Sequence, residues 1–189
     1  VTRGQLDIWL AQQTGHFDVA WQLGVLVRID GAIDPALLHQ AMRHVVGEAE
    51  SLRASFFEAD GQVFQKAVEY SDVDLTFYDL SGSPDPEREV REMAASIQRT
   101  PMPLTGPMIK FALFRTGSAE YYWFTTCHHI AIDGMGIALV GRRIAAVYTA
   151  LASGKPIPPA FFGSLQDLVG GELEYEESAK FLEDKDYWL

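Results

Sequence analysis

Cys127-His128-His129-Ile130-Ala131-Ile132-Asp133-Gly134 is the stretch on which the reading of this chain turns. Ahead of it, Tyr121 to Cys127 is apolar and rich in aromatic residues, which predicts a strand. Behind it, Ile137, Val140, Ile144, Val147 and Tyr148 recur at helical spacing, which predicts a long helix from about Gly136 to Ala152. Side chains alternate along a strand, so the two histidines face opposite ways and only one can look into a given cavity. Asp133-Gly134 adds a carboxylate and a permissive backbone position in the loop. A neutral imidazole can accept a proton near pH 7 or donate a hydrogen bond, and either suits acyl transfer. Taken alone, such a pair is more often structural than catalytic. Two histidines and one aspartate lack a further ligand, so no metal is expected. Alternation sets Cys127 on the same face as His129, where it reads better as a small buried residue than as a nucleophile. No Gly-x-Ser-x-Gly elbow occurs, so a serine hydrolase is unsupported.

Working outward, Met108 to Arg115 is predicted to be the neighbouring strand, with the turn at Thr116-Gly117-Ser118. Gln22 to Asp30 is a further strand, ended by Gly31. Asp34-Pro35 then gives an N-cap followed by proline at the first helical position. The helix behind it carries Leu37, Leu38, Ala41, Met42, Val45, Val46 and Ala49 on one period and ends near Gly47 to Glu50. Leu52 to Phe57 and Gln62 to Val68 flank Asp60-Gly61, a hairpin signal. Val73 to Leu80 is another strand, and Asp85-Pro86 repeats the cap-plus-proline start of a helix through Arg99. Thr2 to Gln13 reads as an amphipathic helix with Leu6, Trp9 and Leu10 on one side and Trp9 as its core anchor. Lys155 to Pro159 is a stiff connector to two last helices, from about Ser164 and ending at Trp188. Interspersed strands and helices with short turns favour an α+β layer arrangement over a doubly wound parallel sheet. No Gly-rich loop of Walker or Rossmann spacing joins a strand to a helix.

Composition sets outer bounds. The 189 residues are 48% hydrophobic and 22% charged, which suits one globular domain, or one and a fraction. A single cysteine allows no internal disulfide and suits a reducing compartment, so a cytoplasmic location is expected. Net charge is −11, from 26 acidic and 15 basic residues. That balance opposes nucleic-acid binding and docking on anionic membranes. Arg142-Arg143 is the nearest approach to a basic patch and reads as a solvated helix face. No run approaches 18 uninterrupted apolar residues. The opening Val1-Thr2-Arg3-Gly4-Gln5 has neither an initiator Met nor a signal layout, and reads as a cut from a longer chain.

His128-His129-Ile130-Ala131-Ile132-Asp133-Gly134 resembles the HHxxxDG signature of the condensation domains of nonribosomal peptide synthetases. Thr2 to Leu10 resembles that family's opening motif, T/S-x-x-Q-x-x-x-W. Glu50 to Phe56 resembles its second, ExLRTxF, with Ala54 in place of the usual Thr. Phe181 to Trp188 is similar to its F-x-x-D-x-x-Y-W helix, so the resemblance spans the chain. The implied fold is α+β and chloramphenicol acetyltransferase-like, a mixed, mostly antiparallel sheet with helices packed on it. A complete condensation domain is about twice this length and has two lobes around a tunnel. Residues 1–189 therefore correspond to the N-terminal lobe, without the second lobe and its bridging and latch segments.

The resemblance implies acyl transfer: an acceptor amine attacks a donor thioester, both held on phosphopantetheine arms of peptidyl or aryl carrier proteins. No cofactor of the domain's own is implied. The catalytic role falls on His129, as base or as positioning group, and His128 is carried over as supporting. Asp133 is expected to pair with Arg53 and pin the loop, a buried pair whose disruption costs ~3–5 kcal/mol. Gly134 either meets a turn requirement or offers its N–H to the developing oxyanion. Gly136 stands where many members have Ser. The texture of Gln5 to Trp9, His129 to Gly136 and Phe162-Gly163-Ser164 is similar to starter domains of siderophore synthetases. Within the family, epimerising or ester-forming relatives share the signature, and a non-catalytic carrier-docking role is the reading from another class. The expected partners are carrier proteins upstream and downstream, the second lobe and neighbouring synthetase domains. An isolated lobe is expected to fold without turning over, and to self-associate through its uncovered apolar face.

Overall fold

A computed structural model of the chain describes residues 1–14, 19–69 and 73–188. Its elements follow the local signals closely. Helix α1 (Arg3–Gln13) starts at Thr2, whose hydroxyl accepts from the Gln5 N–H while the Gln5 side chain accepts from the Thr2 N–H, a full capping box. Strand β1 (Gln22–Asp30) leads to α2 (Pro35–Glu48), capped by Asp34 with Pro35 in the first turn. A hairpin of β2 (Ala54–Ala59) and β3 (Gln62–Ala67) turns at Asp60 and Gly61, with φ of 50° and 73°. Both central residues lie in the left-handed region, which is why the Asp-Gly pair sits there. Then come β4 (Leu75–Asp79), α3 (Pro86–Gln98), β5 (Ile109–Gly117), β6 (Glu120–His128), α4 (Gly134–Ala152), α5 (Leu165–Glu176) and α6 (Ala179–Trp188).

Among the described residues, β6 and β5 are the inner strands of a four-stranded sheet ordered β1-β6-β5-β4. β6 runs antiparallel to both neighbours, and β4 joins β5 in parallel. One face of the sheet packs on α2 and α4, burying Met42, Val45, Leu113, Cys127, Ile144 and Val147. The other packs on α3, where Val90 and Ala94 meet Ala112, Phe114, Tyr122 and Phe124. Covering both faces explains why β5 and β6 read as nearly continuous apolar runs. Each Val, Leu, Ile, Met or Phe side chain among them contributes about 1.5–3 kcal/mol on removal from water. The α+β architecture and the mixed, mostly antiparallel sheet agree with the sequence reading.

Four details differ from it. Leu52 and Arg53 belong to a 3-10 turn over Glu50–Arg53, which drives Leu52 fully into the core before β2 begins. β5 continues to Gly117 through an irregularity after Arg115, so Thr116 and Gly117 lie in the strand. Leu10 is 55% exposed, while Gln5 is buried beside Trp9. The largest difference concerns Arg143, which is buried rather than solvated. Its guanidinium grips the Glu48 carboxylate of α2 with two bonds, Nε at 2.8 Å and Nη2 at 2.6 Å. Only Arg142 faces solvent. α4 has the length and composition to cross a membrane. Here Val140, Ile144 and Val147 pack into the domain core instead.

Candidate active site

β6 delivers the histidine pair to the end of the sheet. His128 closes the strand, and its N–H donates to the Met108 carbonyl at 2.9 Å. Its ring is fully buried, and Nδ1 accepts the Ile130 N–H at 3.2 Å. That contact places the ring proton on Nε2, which has no partner among the described residues. Burial, with His129 beside it, pushes the His128 pKa down to about 4. His128 is therefore a neutral brace for the loop.

A pH dependence follows. The unfolded chain protonates this ring near 6.5 while the native state resists until about 4, so the unfolded state binds the extra proton in between. Stability is expected to fall as pH drops through that window, by about 3 kcal/mol. Urea unfolding midpoints at pH 7 and pH 4.5 check this. His128→Asn, which keeps an acceptor and does not titrate, should show the smaller drop between the two pH values.

His129 lies just past the strand. Its N–H donates to the Trp21 carbonyl at 2.7 Å, and its ring meets the Trp21 ring edge-on at 6.3 Å between centroids. The half-buried side chain lines a cavity of about 570 Å³. Gln5 and Ile8 of α1, Gly136 and Leu139 of α4, and Phe162 line it as well. The lining is mostly apolar, with Thr2, Gln5, Ser51 and Asp133 as polar groups in its wall, and the cavity opens to solvent. Cys127 points instead into the core, where burial pushes its thiol up to about 12. It is a packing residue, as its small apolar character suggested.

The expected ion pair between Asp133 and Arg53 does not form. Asp133 is exposed and serves as the N-cap of α4, accepting the Gly136 N–H at 2.7 Å. Arg53 instead donates from Nη1 to the Val68 carbonyl at 2.9 Å, at the base of the β2–β3 hairpin. The carboxylate is taken by the Gly136 N–H at the helix start, which sequence spacing alone did not reveal. Because a cap and not a buried charge is at stake, Asp133→Ala should cost about 1 kcal/mol, with Asp133→Ser restoring most of it. Thermal unfolding of both variants checks the order. A loss of several kcal/mol would restore the ion-pair account.

The glycines divide differently from the sequence reading too. A Cβ on Gly134 would meet nothing within 4 Å, and its φ is not positive, so no turn requirement holds it. Gly136 is the constrained position: a Cβ there would stand 2.6 Å from Ile132 Cγ1 and 3.2 Å from Asp133 Oδ1. Any side chain at this place would force Ile132 to move. Trp21 escaped the sequence reading because its bond to the site comes from a backbone carbonyl, which leaves no mark on residue type, and its ring meets His129 from a segment distant in sequence. Among the described residues no three His, Cys, Asp or Glu side chains gather as a metal site.

Comparison with known proteins gives a consistent picture. A family model described as Condensation domain matches residues 1–189. The isonitrile lipopeptide synthase of Streptomyces coeruleorubidus is 37% identical over 190 residues, covering 97% of this chain and 13% of that protein. The first condensation domain of the calcium-dependent antibiotic synthetase, solved with a substrate analogue, superposes with a TM-score of 0.92 at 36% identity, over 100% of this chain and 46% of that one. A variant of the starter condensation domain of rhizomide synthetase, in complex with C8-CoA and Leu-SNAC, gives a TM-score of 0.93 at 30% identity, over 100% of this chain and 44% of that one. The chain thus spans less than half the length of the solved domains it matches.

Proposed function

The chain belongs to the condensation-domain family, and from that premise we propose that residues 1–189 form the N-terminal lobe of a domain that makes amide bonds in nonribosomal peptide synthesis. The carrying observation is His129: an imidazole facing a largely apolar cavity, on a loop whose backbone is tied to three other segments. A donor acyl group and an acceptor aminoacyl group arrive as thioesters on phosphopantetheine arms of carrier proteins. His129 takes a proton from the acceptor ammonium, or holds the amine in line. The nitrogen then bonds to the donor carbonyl carbon, the C–S bond breaks, and the second proton shed by the nitrogen passes to the leaving thiolate. Gly134 lines a different cavity from the one His129 lines, so its N–H is given no part in receiving the developing negative charge. His128, Arg53 and Asp133 act as supports and not as reagents.

The finer form we propose is a starter reaction, in which the donor is an acyl or aryl group. The apolar cavity beside His129 supports it, as does the likeness to a starter domain. Leu168 and Leu173 of α5 and Leu182 and Trp188 of α6 are each more than half exposed, which supports a second lobe covering this side. The test loads donor and acceptor on their carriers, adds the full-length polypeptide containing this chain, and weighs the acceptor carrier by intact-mass spectrometry. A gain equal to the donor acyl group is expected. An unchanged mass with every donor class tried contradicts the proposal.

A further inference from the structure

Gln5 uses all of its side-chain hydrogen-bonding capacity, and only one of the four bonds serves its own helix. Its Oε1 accepts from the Thr2 N–H and from Gln65 Nε2, both at 2.9 Å. Its Nε2 donates to Gln65 Oε1 at 3.0 Å and to the Ile130 carbonyl at 3.1 Å. A side-chain amide offers two donors and two acceptor lone pairs, so each is matched. Chemistry fixes its orientation: the Ile130 carbonyl only accepts, the Thr2 N–H only donates, and a flipped amide would oppose like to like. Capping α1 needs the Thr2 contact alone. The remaining bonds tie α1 to β3 and to the residue directly after His129.

Ile130 is thereby held at both ends, its N–H on His128 Nδ1 and its carbonyl on Gln5. Just before it, the His129 N–H is held by Trp21. Gln5 is 8% exposed and stands in the wall of the cavity that His129 lines. We propose that Gln5, braced by Gln65, is a positioning residue for the condensation reaction, fixing the Ile130 peptide and through it the direction of the His129 ring. The inference rests on the reading of His129 as the condensing site. Sub-ångström placement of reacting groups matters on this scale, since a displacement of about 1 Å can cost roughly 10²-fold in rate.

The test uses the full-length polypeptide with Gln5→Glu, Gln65→Ala and Val90→Ala. Gln5→Glu keeps the size and the acceptor for Thr2 but turns the donor to Ile130 into an oxygen. Val90→Ala weakens the α3 side of the sheet, remote from the loop, and controls for lost stability. Acyl-transfer rates over a range of carrier concentrations up to saturation and hydrogen exchange of peptides covering 129–133 are read together. Gln5→Glu is expected to slow transfer about 10–100-fold with KM for the carriers unchanged, and to speed exchange in 129–133. Gln65→Ala should move both in the same direction by less, and Val90→Ala neither. If Gln5→Glu does not fold, Gln65→Ala carries the comparison. Gln5→Glu and Val90→Ala behaving alike in both readouts would overturn the inference. No transfer by the wild type defeats the condensation reading instead, and exchange in 129–133 then decides by itself whether Gln5 holds the loop.

Discussion

Replacing His129 by alanine in the full-length polypeptide is expected to slow amide formation by about 10²–10⁴-fold, the usual contribution of a positioned acid–base group. The fold should survive. The bond that anchors this residue runs from its backbone N–H to Trp21, and alanine keeps it. The ring is half-buried at the cavity wall and, among the described residues, makes an edge contact with Trp21. His128→Ala is the contrasting case, because it empties a fully buried site and leaves the Ile130 N–H without its acceptor. There, lost activity should come with lost stability. Rates under single-turnover conditions, alongside thermal unfolding of both variants, separate the two behaviours. A His129→Ala protein that transfers at the wild-type rate would move the catalytic role to positioning by the tunnel.

Arg143→Ala carries the largest expected stability loss. The Arg143 side chain is 2% exposed, and the Glu48 carboxylate it holds is 16% exposed and also touches His44 at 2.9 Å. Truncating the arginine strands that carboxylate in the α2–α4 seam, which typically costs about 3–5 kcal/mol. For a chain of this size the melting temperature should fall by roughly 6–20 °C. The Arg143 guanidinium holds the Glu48 carboxyl below the usual carboxylate range. A depressed acid adds stability that is complete above its unfolded pKa and is lost as pH falls through the folded one. The gap between wild type and Arg143→Ala should therefore narrow in acid. Paired replacement, Arg143→Met with Glu48→Leu, removes both charges and should recover most of the loss, since a buried pair gains little over good apolar packing. Denaturant unfolding of the three proteins tests this directly.

The contrast between these two sites shows how far residue order carries. Caps and turns were legible because their causes are local: Asp34-Pro35, Asp85-Pro86 and Asp60-Gly61 each act within a few residues, and each stands where it was expected. The inner strands were legible from their apolar runs, buried on both faces. Pairings across the chain were not. Arg143 looked like half of a solvated pair because its partner, Glu48, lies 95 residues away and is met only when α2 packs on α4. Asp133 was assigned to Arg53 by family pattern, whereas the nearest unsatisfied donors belong to its own helix. At the site, alternation separated His128 from His129, although β6 ends at His128 and the turn after it sets the direction of His129. The tightness of Gly136 was not legible for a similar reason: only the approach of the Ile132 and Asp133 side chains distinguishes it from Gly134.

The most direct test of the central claim compares wild type and His129→Ala on one acceptor carrier. Donor and acceptor are loaded on their carriers, the full-length proteins are added, and the acceptor carrier is weighed intact over time. The account predicts a mass gain equal to the donor acyl group with wild type, and its near absence over the same interval with a folded His129→Ala protein. An equal gain with both proteins would contradict it.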